Sequence, residues 1–280
     1  MQPLLVASLI RSICQRLLAL LKSLNDDDWQ RPTSSSRRTV KDVASHLLDG
    51  SLRRLSMQRD RYVSPNPTTG IQADEPLLEY LNRLNDEWDT ATRRLSPSVL
   101  IGLLEWADPQ LATLFESLDP QAPAIFPVAW AGEGVSENWM DVARDYTEKW
   151  HHTQQIFEAT GRPSTITGRD LFHPCLDAFV RALPFTFRDV EADLGTTVAL
   201  VATGDAGSAW FIERTRTGWI QISQAAGPVA STVTIDSLDL WRLVTKRRSR
   251  DAVIAAFPGI RIEGDPSLGG HVLDMVSMMA

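Results

Sequence analysis

The sequence predicts an α+β protein: a four-helix bundle with extra helices, followed by a small α+β domain. Two observations carry this. Through most of the chain, apolar residues recur in steps of three and four, the spacing of one helix face. Near residue 190 the pattern changes to short β-rich segments separated by glycine-containing turns. The expected division is therefore 1–188 and 189–280. At 280 residues and 43% hydrophobic, the chain can build cores that need no disulfide or metal staples.

Val6, Ile10, Ile13, Leu17, Leu20, Leu21 and Leu24 mark a first helix over about Leu4–Leu24. Asn25 with Asp26-Asp27-Asp28 caps its end and begins a short turn, after which Trp29 packs back on the bundle. Pro32 to Ser36 is a loop. Thr39 opens a second helix, and Asp42 three residues later makes a variant of the capping box. Val43, Leu47, Leu48, Leu52 and Leu55 give its stripe, with His46 beside it. The helix runs on towards Arg61 and ends at the loop Ser64–Gly70.

Leu77, Leu81, Leu84, Trp88, Ala91 and Leu95 form the seam of a third helix. Pro97 interrupts it. Leu100 to Trp106 continue helically, and Asp108-Pro109 restarts a helix with aspartate as N-cap and proline at the first position. Asp119 to Asn138 is irregular and long enough to be functional, and Val128-Ala129-Trp130 within it is apolar enough to cover a pocket. A fourth helix spans about Glu137–Thr160 and stops at Gly161-Arg162-Pro163. Its inward residues are Met140, Ala143, Trp150, Thr153 and Phe157. A fifth helix starts at Asp170 or Pro174.

Strands are expected at Thr196–Thr203, Ala209–Thr215, Trp219–Ser223 and Ala230–Asp236. Helices follow at about Ser237–Lys246 and Ser249–Phe257, then a short strand at Ile260–Glu263. Asp265-Pro266 starts a last helix carrying Leu268, Val272, Leu273 and Val276.

Composition limits function. A net charge of -7 disfavours nucleic-acid binding, which needs clustered Lys and Arg. The basic run Lys246–Arg250 reads as a solvated turn. The leucine-rich start is broken by Arg11, Arg16 and Lys22 without a cleavage pattern, and no run of about 20 apolar residues occurs. The expectation is a cytoplasmic protein with no membrane partner. Nine tryptophans imply a packed interior and an aromatic-lined pocket. Cys14 and Cys175 are too few for a thiolate metal site and read as buried, reduced thiols. A metal site must then draw on His, Asp and Glu.

Arg144–His152 is the most informative segment. Glu148 and His152 are four apart and share one helix face, so both can reach one divalent ion. His151 is rotated by about 100° from His152 and cannot easily share it. His46, on a facing helix, can supply a third ligand from across a bundle core. Two histidines and one carboxylate leave open positions, as in catalytic sites. A thiol bound there would lose its proton. The same spacing also describes an ordinary surface pair worth a few tenths of a kcal/mol, and His46 also suits a core histidine. His151 reads as a donor behind the ligands, a substrate contact, or a histidine packed near Trp150. His173 looks like a helix-start residue and His271 an exposed one. Arg242, Arg53 and Arg54 could meet an anionic substrate or make structural ion pairs. Tyr146 and Gln155 flank the ligand face and could orient the ligands.

Thr39–Gly50 (TVKDVASHLLDG) resembles the second-helix motif of the DinB-like metalloenzyme superfamily. Asp145–Thr160 (DYTEKWHHTQQIFEAT) resembles its metal-binding fourth helix. The tail from Gly264-Asp265 through Leu273–Ala280 resembles the C-terminal domain of mycothiol-dependent maleylpyruvate isomerases, which is of the sterol-carrier type. The resemblance implies a DinB-like four-helix bundle followed by a sterol-carrier-like α+β domain. It implies that His46, Glu148 and His152 bind a divalent metal, zinc in the usual case and nickel as the alternative. It further implies a low-molecular-weight thiol as cosubstrate. In the isomerase the thiol adds to a cis double bond, the bond rotates, and elimination gives the trans product. The same thiolate could displace a leaving group, which would make an S-transferase. The loop Thr33–Arg38 departs from the Cys-Pro-Gly-Trp-like turn of many relatives.

The expected function is thus a metal- and thiol-dependent isomerase or transferase acting on a small molecule, with His151 and Arg242 as catalytic candidates. Homo-oligomerisation stays open. The alternatives are a small-molecule binding protein with a structural or vestigial metal site, and an interaction protein that keeps the ligands without catalysis.

Overall fold

A computed structural model describes residues 2–35, 38–65, 70, 75–245 and 250–277. The chain divides into two compact units, one of residues 5–125 and 142–166, the other of 1–4, 126–141 and 167–280. No described helix is long and apolar enough to cross a membrane.

The first unit is helical. Helix α1 (Ala7–Lys22) buries Ile10, Ile13, Cys14, Leu17, Leu20 and Leu21, the face set by their spacing. Asn25 does not cap the end of α1. It starts a separate one-turn helix, α2 (Asp26–Trp29), through a capping box with Asp28. Helix α3 (Val40–Arg54) begins at the predicted Thr39/Asp42 capping box. It ends as an α-helix at Arg54 and continues as a π-turn, Leu55–Arg59, short of the expected run to Arg61.

Helix α4 (Leu77–Thr92) stops three residues before Leu95, and Ser96 caps the next helix by accepting from the Val99 N–H. That helix, α5 (Pro97–Ser117), is continuous. The expected restart at Asp108-Pro109 does not occur, and Pro109 lies inside the helix. A proline there removes one backbone hydrogen bond and costs about 3 kcal/mol in an exposed helix. Burial on both sides, of Leu104, Ala107, Leu111, Ala112 and Phe115, outweighs it. Asp108 is therefore an interior side chain, not a cap.

Helix α6 (Asn138–Thr160) ends where Gly161 takes a left-handed conformation, φ +66°. Its side of the first unit is polar and buried. Lys149 Nζ donates to Asp108 Oδ1 on α5 at 2.7 Å and to Ser51 Oγ on α3 at 2.8 Å. Ser51 Oγ donates to the same Asp108 oxygen at 2.7 Å. Burial alone would discharge Lys149, but Asp108 outweighs it and holds the ammonium above its ordinary range. One turn towards the start of α6, Asp145 accepts from Arg54 Nε at 2.8 Å and Nη2 at 3.1 Å. Burial would raise this carboxyl, yet Arg54 and Arg144 together hold it below the ordinary carboxylate range.

The second unit holds a five-stranded sheet in the order β3-β2-β1-β4-β5. Its strands are β1 (Thr197–Thr203), β2 (Ala209–Thr215), β3 (Gly218–Ile222), β4 (Ser231–Asp236) and β5 (Arg261–Gly264). The β1–β4 pair is parallel and the others antiparallel. β1 is central and reads Val198-Ala199-Leu200 buried in succession, as a strand covered on both faces should. Helices α7 (Arg169–Val180), α8 (Leu183–Thr186), α9 (Ser237–Val244), α10 (Arg250–Ala256) and α11 (Pro266–Val272) complete the unit. Gly168, not Asp170 or Pro174, precedes α7. Asp236 and Asp265 cap α9 and α11 through their side chains. α11 stops before Val276, because Ser277 is tied by its N–H to Val244 O and by its hydroxyl to Phe179 O. Val128 is fully buried against Trp139 and Met140. Most of the basic run (246–249) and the tail 278–280 lie outside the described residues, as do 36, 37, 66–69 and 71–74.

Two outcomes follow from the buried ion pairs. Lys149→Met leaves Asp108 in the core without its cation and costs about 3–5 kcal/mol in urea unfolding. Adding Asp108→Leu recovers most of that loss, because neither charge is then stranded. The depressed Asp145 carboxyl stabilises the fold above the unfolded carboxylate value of about 3.9, and that contribution is lost as pH falls through the lower folded value. Asp145→Asn should therefore cost most at neutral pH and progressively less in acid.

Candidate metal centre

His46 projects from the second turn of α3, and Glu148 and His152 from neighbouring turns of α6. One ligand atom from each lies within 4.8 Å of the other two. Glu148 Oε2 is 3.3 Å from His152 Nε2. The His46 and His152 rings meet edge to face with centroids 4.8 Å apart. The structure thus brings together the three residues that the sequence singled out. The Glu148 side chain is 31% exposed and that of His152 9%, so the cluster reaches solvent on the carboxylate side.

These residues fit a divalent metal on three counts. Nδ1 of His46 is buried without a hydrogen-bond partner, a cost that a buried polar atom rarely bears unless something else satisfies it. Burial first, then the charges of His152, Arg38, Arg53 and His151, lowers the His46 pKa well below its ordinary value. His46 is therefore neutral at neutral pH and has a lone pair to give. His152 Nδ1 lies 2.8 Å from Gln155 Oε1, an acceptor that favours a proton on Nδ1 and so leaves Nε2, on the side of Glu148, as the nitrogen available to an ion. Gln155 Nε2 donates in turn to Ser34 Oγ at 3.1 Å.

His151 is buried, and its ring stands edge to face on His152 at 4.8 Å. It lies outside the ligand cluster, as helix geometry requires. Arg53 pairs with Asp49 at 2.9 Å, and Arg54 is the buried partner of Asp145. Arg242 pairs with Asp239 at 3.0 Å and covers the Trp241 ring. Tyr146 is wholly buried. His173 lies within α7, stacks on Trp210 and approaches Ala206 O. His271 is half-buried rather than exposed, between Arg250 and Asp274. Both cysteines are buried and free, and burial pushes both thiols up.

Sequence reasoning missed Ser34, Asp108, Ser51 and Lys149. A signal existed for Asp108, which occupies a stripe position between Leu104 and Leu111; an acid there demands a buried cation. None existed for Ser34, whose partner is 121 residues away.

Two crystal structures resemble this chain. One is of the mycothiol-dependent maleylpyruvate isomerase, with a TM-score of 0.51 and 13% identity. The other is of a histidine-to-alanine variant of the mycothiol-dependent maleylpyruvate isomerase, with a TM-score of 0.50 and 12% identity. Each match covers 86% of this chain and 88% of the other. At such identity the likeness speaks for the fold. No curated protein is significantly similar in sequence. Residues 10–157, more than half of the chain, match the mycothiol maleylpyruvate isomerase N-terminal domain. The chain, whose match includes all three clustered residues, therefore belongs to the mycothiol maleylpyruvate isomerase N-terminal domain family.

Proposed function

We propose that this chain is a metal-dependent enzyme that uses a low-molecular-weight thiol, an isomerase or S-transferase of the maleylpyruvate isomerase type. The observation that carries the reading is the meeting of His46, Glu148 and His152 at a solvent-reached point, with the His46 lone pair unspent. These three would hold the ion, zinc by the family resemblance, with nickel as the alternative. When bound, the ion supplies Lewis-acid charge that lowers the proton affinity of a thiol at its open position.

The chain's own residues do the rest. His46 would enter as a neutral donor, with His152 and Glu148 completing the set, so that a divalent ion held there would keep net positive charge for an anionic sulfur. Gln155 holds the His152 tautomer. The exposed side of Glu148 is where a thiol and an electrophilic small molecule would approach. Addition of the thiol to a cis double bond turns it into a single bond, which rotates before the thiol leaves unchanged. With a leaving group on the electrophile, the same attack ends in S-transfer. The reading places the protein in the cytoplasm and the chemistry in the part before residue 189.

Metal analysis and turnover test it separately. Purified wild type should retain stoichiometric zinc, and His46→Ala/His152→Ala should lose it. Unchanged metal content in that double variant would sink the site. With metal confirmed, a chelator should abolish thiol-dependent consumption of a cis-configured or leaving-group electrophile, and added zinc should restore it. Bound metal with no thiol-dependent turnover across such electrophiles would favour the binding-protein alternative.

A further inference from the structure

We propose that Ser34 and Gln155 are positioning residues that set His152 for metal binding, an inference that rests on the metal-centre reading above. Gln155 follows His152 by three residues and lies on the same face of α6. Its amide is buried and fully engaged between two partners, Oε1 on His152 Nδ1 at 2.8 Å and Nε2 on Ser34 Oγ at 3.1 Å. A neutral imidazole carries one proton on one of two nitrogens. An amide oxygen can only accept, so it draws that proton to Nδ1 and frees Nε2, the nitrogen 3.3 Å from Glu148. Were the amide reversed, its N–H would donate to Nδ1 and drive the proton onto Nε2, where it blocks a metal. Ser34 Oγ accepts from Nε2 of Gln155 and so anchors the far side of the amide, holding its oxygen against His152.

Ser34 is itself held. The Thr33 N–H and hydroxyl both donate to Arg38 O, at 3.0 and 2.9 Å, and the Ser35 N–H donates back to the Thr33 hydroxyl. Pro32 and Thr39 close the loop as a bridge, and Thr39 is the N-cap of α3. One short loop therefore starts the helix that carries His46 and steers the imidazole of His152. Its placement and the α6 register are set together.

Cobalt(II) is the probe, because its affinity and its visible absorption report the ligand set without turnover. Competition with a chromophoric chelator should show Gln155→Leu weakened by about 10–100-fold relative to wild type, with an altered Co(II) spectrum. Gln155→Glu keeps an oxygen acceptor for Nδ1–H and should bind as tightly as wild type or tighter. Ser34→Ala should fall between. Equal Co(II) affinity of wild type and Gln155→Leu overturns the proposal, and so does equal loss in the Leu and Glu variants, which would mark a merely structural amide. If Gln155→Leu does not fold, Ser34→Ala decides, and wild-type affinity there overturns the relay. Failure of wild type itself to bind Co(II) would overturn the metal centre beneath it, a distinguishable result.

Discussion

The buried polar seam between α3 and α6 is the constraint on which the site depends. It has three tiers. Arg54 meets Asp145, Ser51 meets Lys149, and His46 meets Glu148 with His152. Positions rise along one helix as they fall along the other, so the two run antiparallel through the seam. Helix geometry places Asp145, Glu148, Lys149 and His152 within an arc of about 100° on α6. An aliphatic seam tolerates small rotations and slips, since one methyl contact replaces another at little cost. A buried ion pair does not, because misalignment strands a charge. Lys149 is gripped by two helices at once and fixes the rotation of α6. That rotation presents its neighbours Glu148 and His152 to His46.

Such a seam is not a cheap source of stability. Desolvating each charge offsets most of what pairing returns. Its value is in specificity of register, and Glu148 of the donor cluster sits one residue from the most buried pair. His46 in the donor cluster shows the opposite electrostatics. Burial and nearby positive charge keep His46 neutral, while Lys149 and Asp145 are held charged. Across one pair of helices, pairing decides which groups ionise and which offer lone pairs.

Much of this was legible in the sequence, and the exceptions have physical causes. Period and caps located many of the helices and strands, because Thr39 and Asp265 act locally. The cluster of His46, Glu148 and His152 was legible because two of its members lie four residues apart on one helix. Asp108-Pro109 misled because it is a strong local start signal, and a tertiary partner, Lys149, overrode it. The tail after Leu273 misled because its apolar spacing is helical, while Ser277 is bound by Val244 and Phe179. Ser34 could not be read at all. A serine in a serine-rich loop carries no periodicity, and its meaning comes only from the chain that folds onto it.

The two cysteines complete the argument about sulfur. A thiol reacts as its thiolate, and thiolates form where a positive charge is near and solvent can reach. Cys14 meets the first condition, since Lys149 is close enough to pull its thiol towards ionisation. Burial and the neighbouring carboxylate of Asp108 outweigh that pull. Cys175 lies buried in α7, and burial raises its thiol unopposed. Neither sulfur of the chain is poised to attack an electrophile. The donor cluster at His46, Glu148 and His152, by contrast, reaches solvent through the side of Glu148 that a diffusible molecule can approach. The molecule thus keeps its own thiols protonated and buried while its donor cluster stays within reach of solvent. That division of roles supports the proposal that the reacting sulfur is brought in from outside.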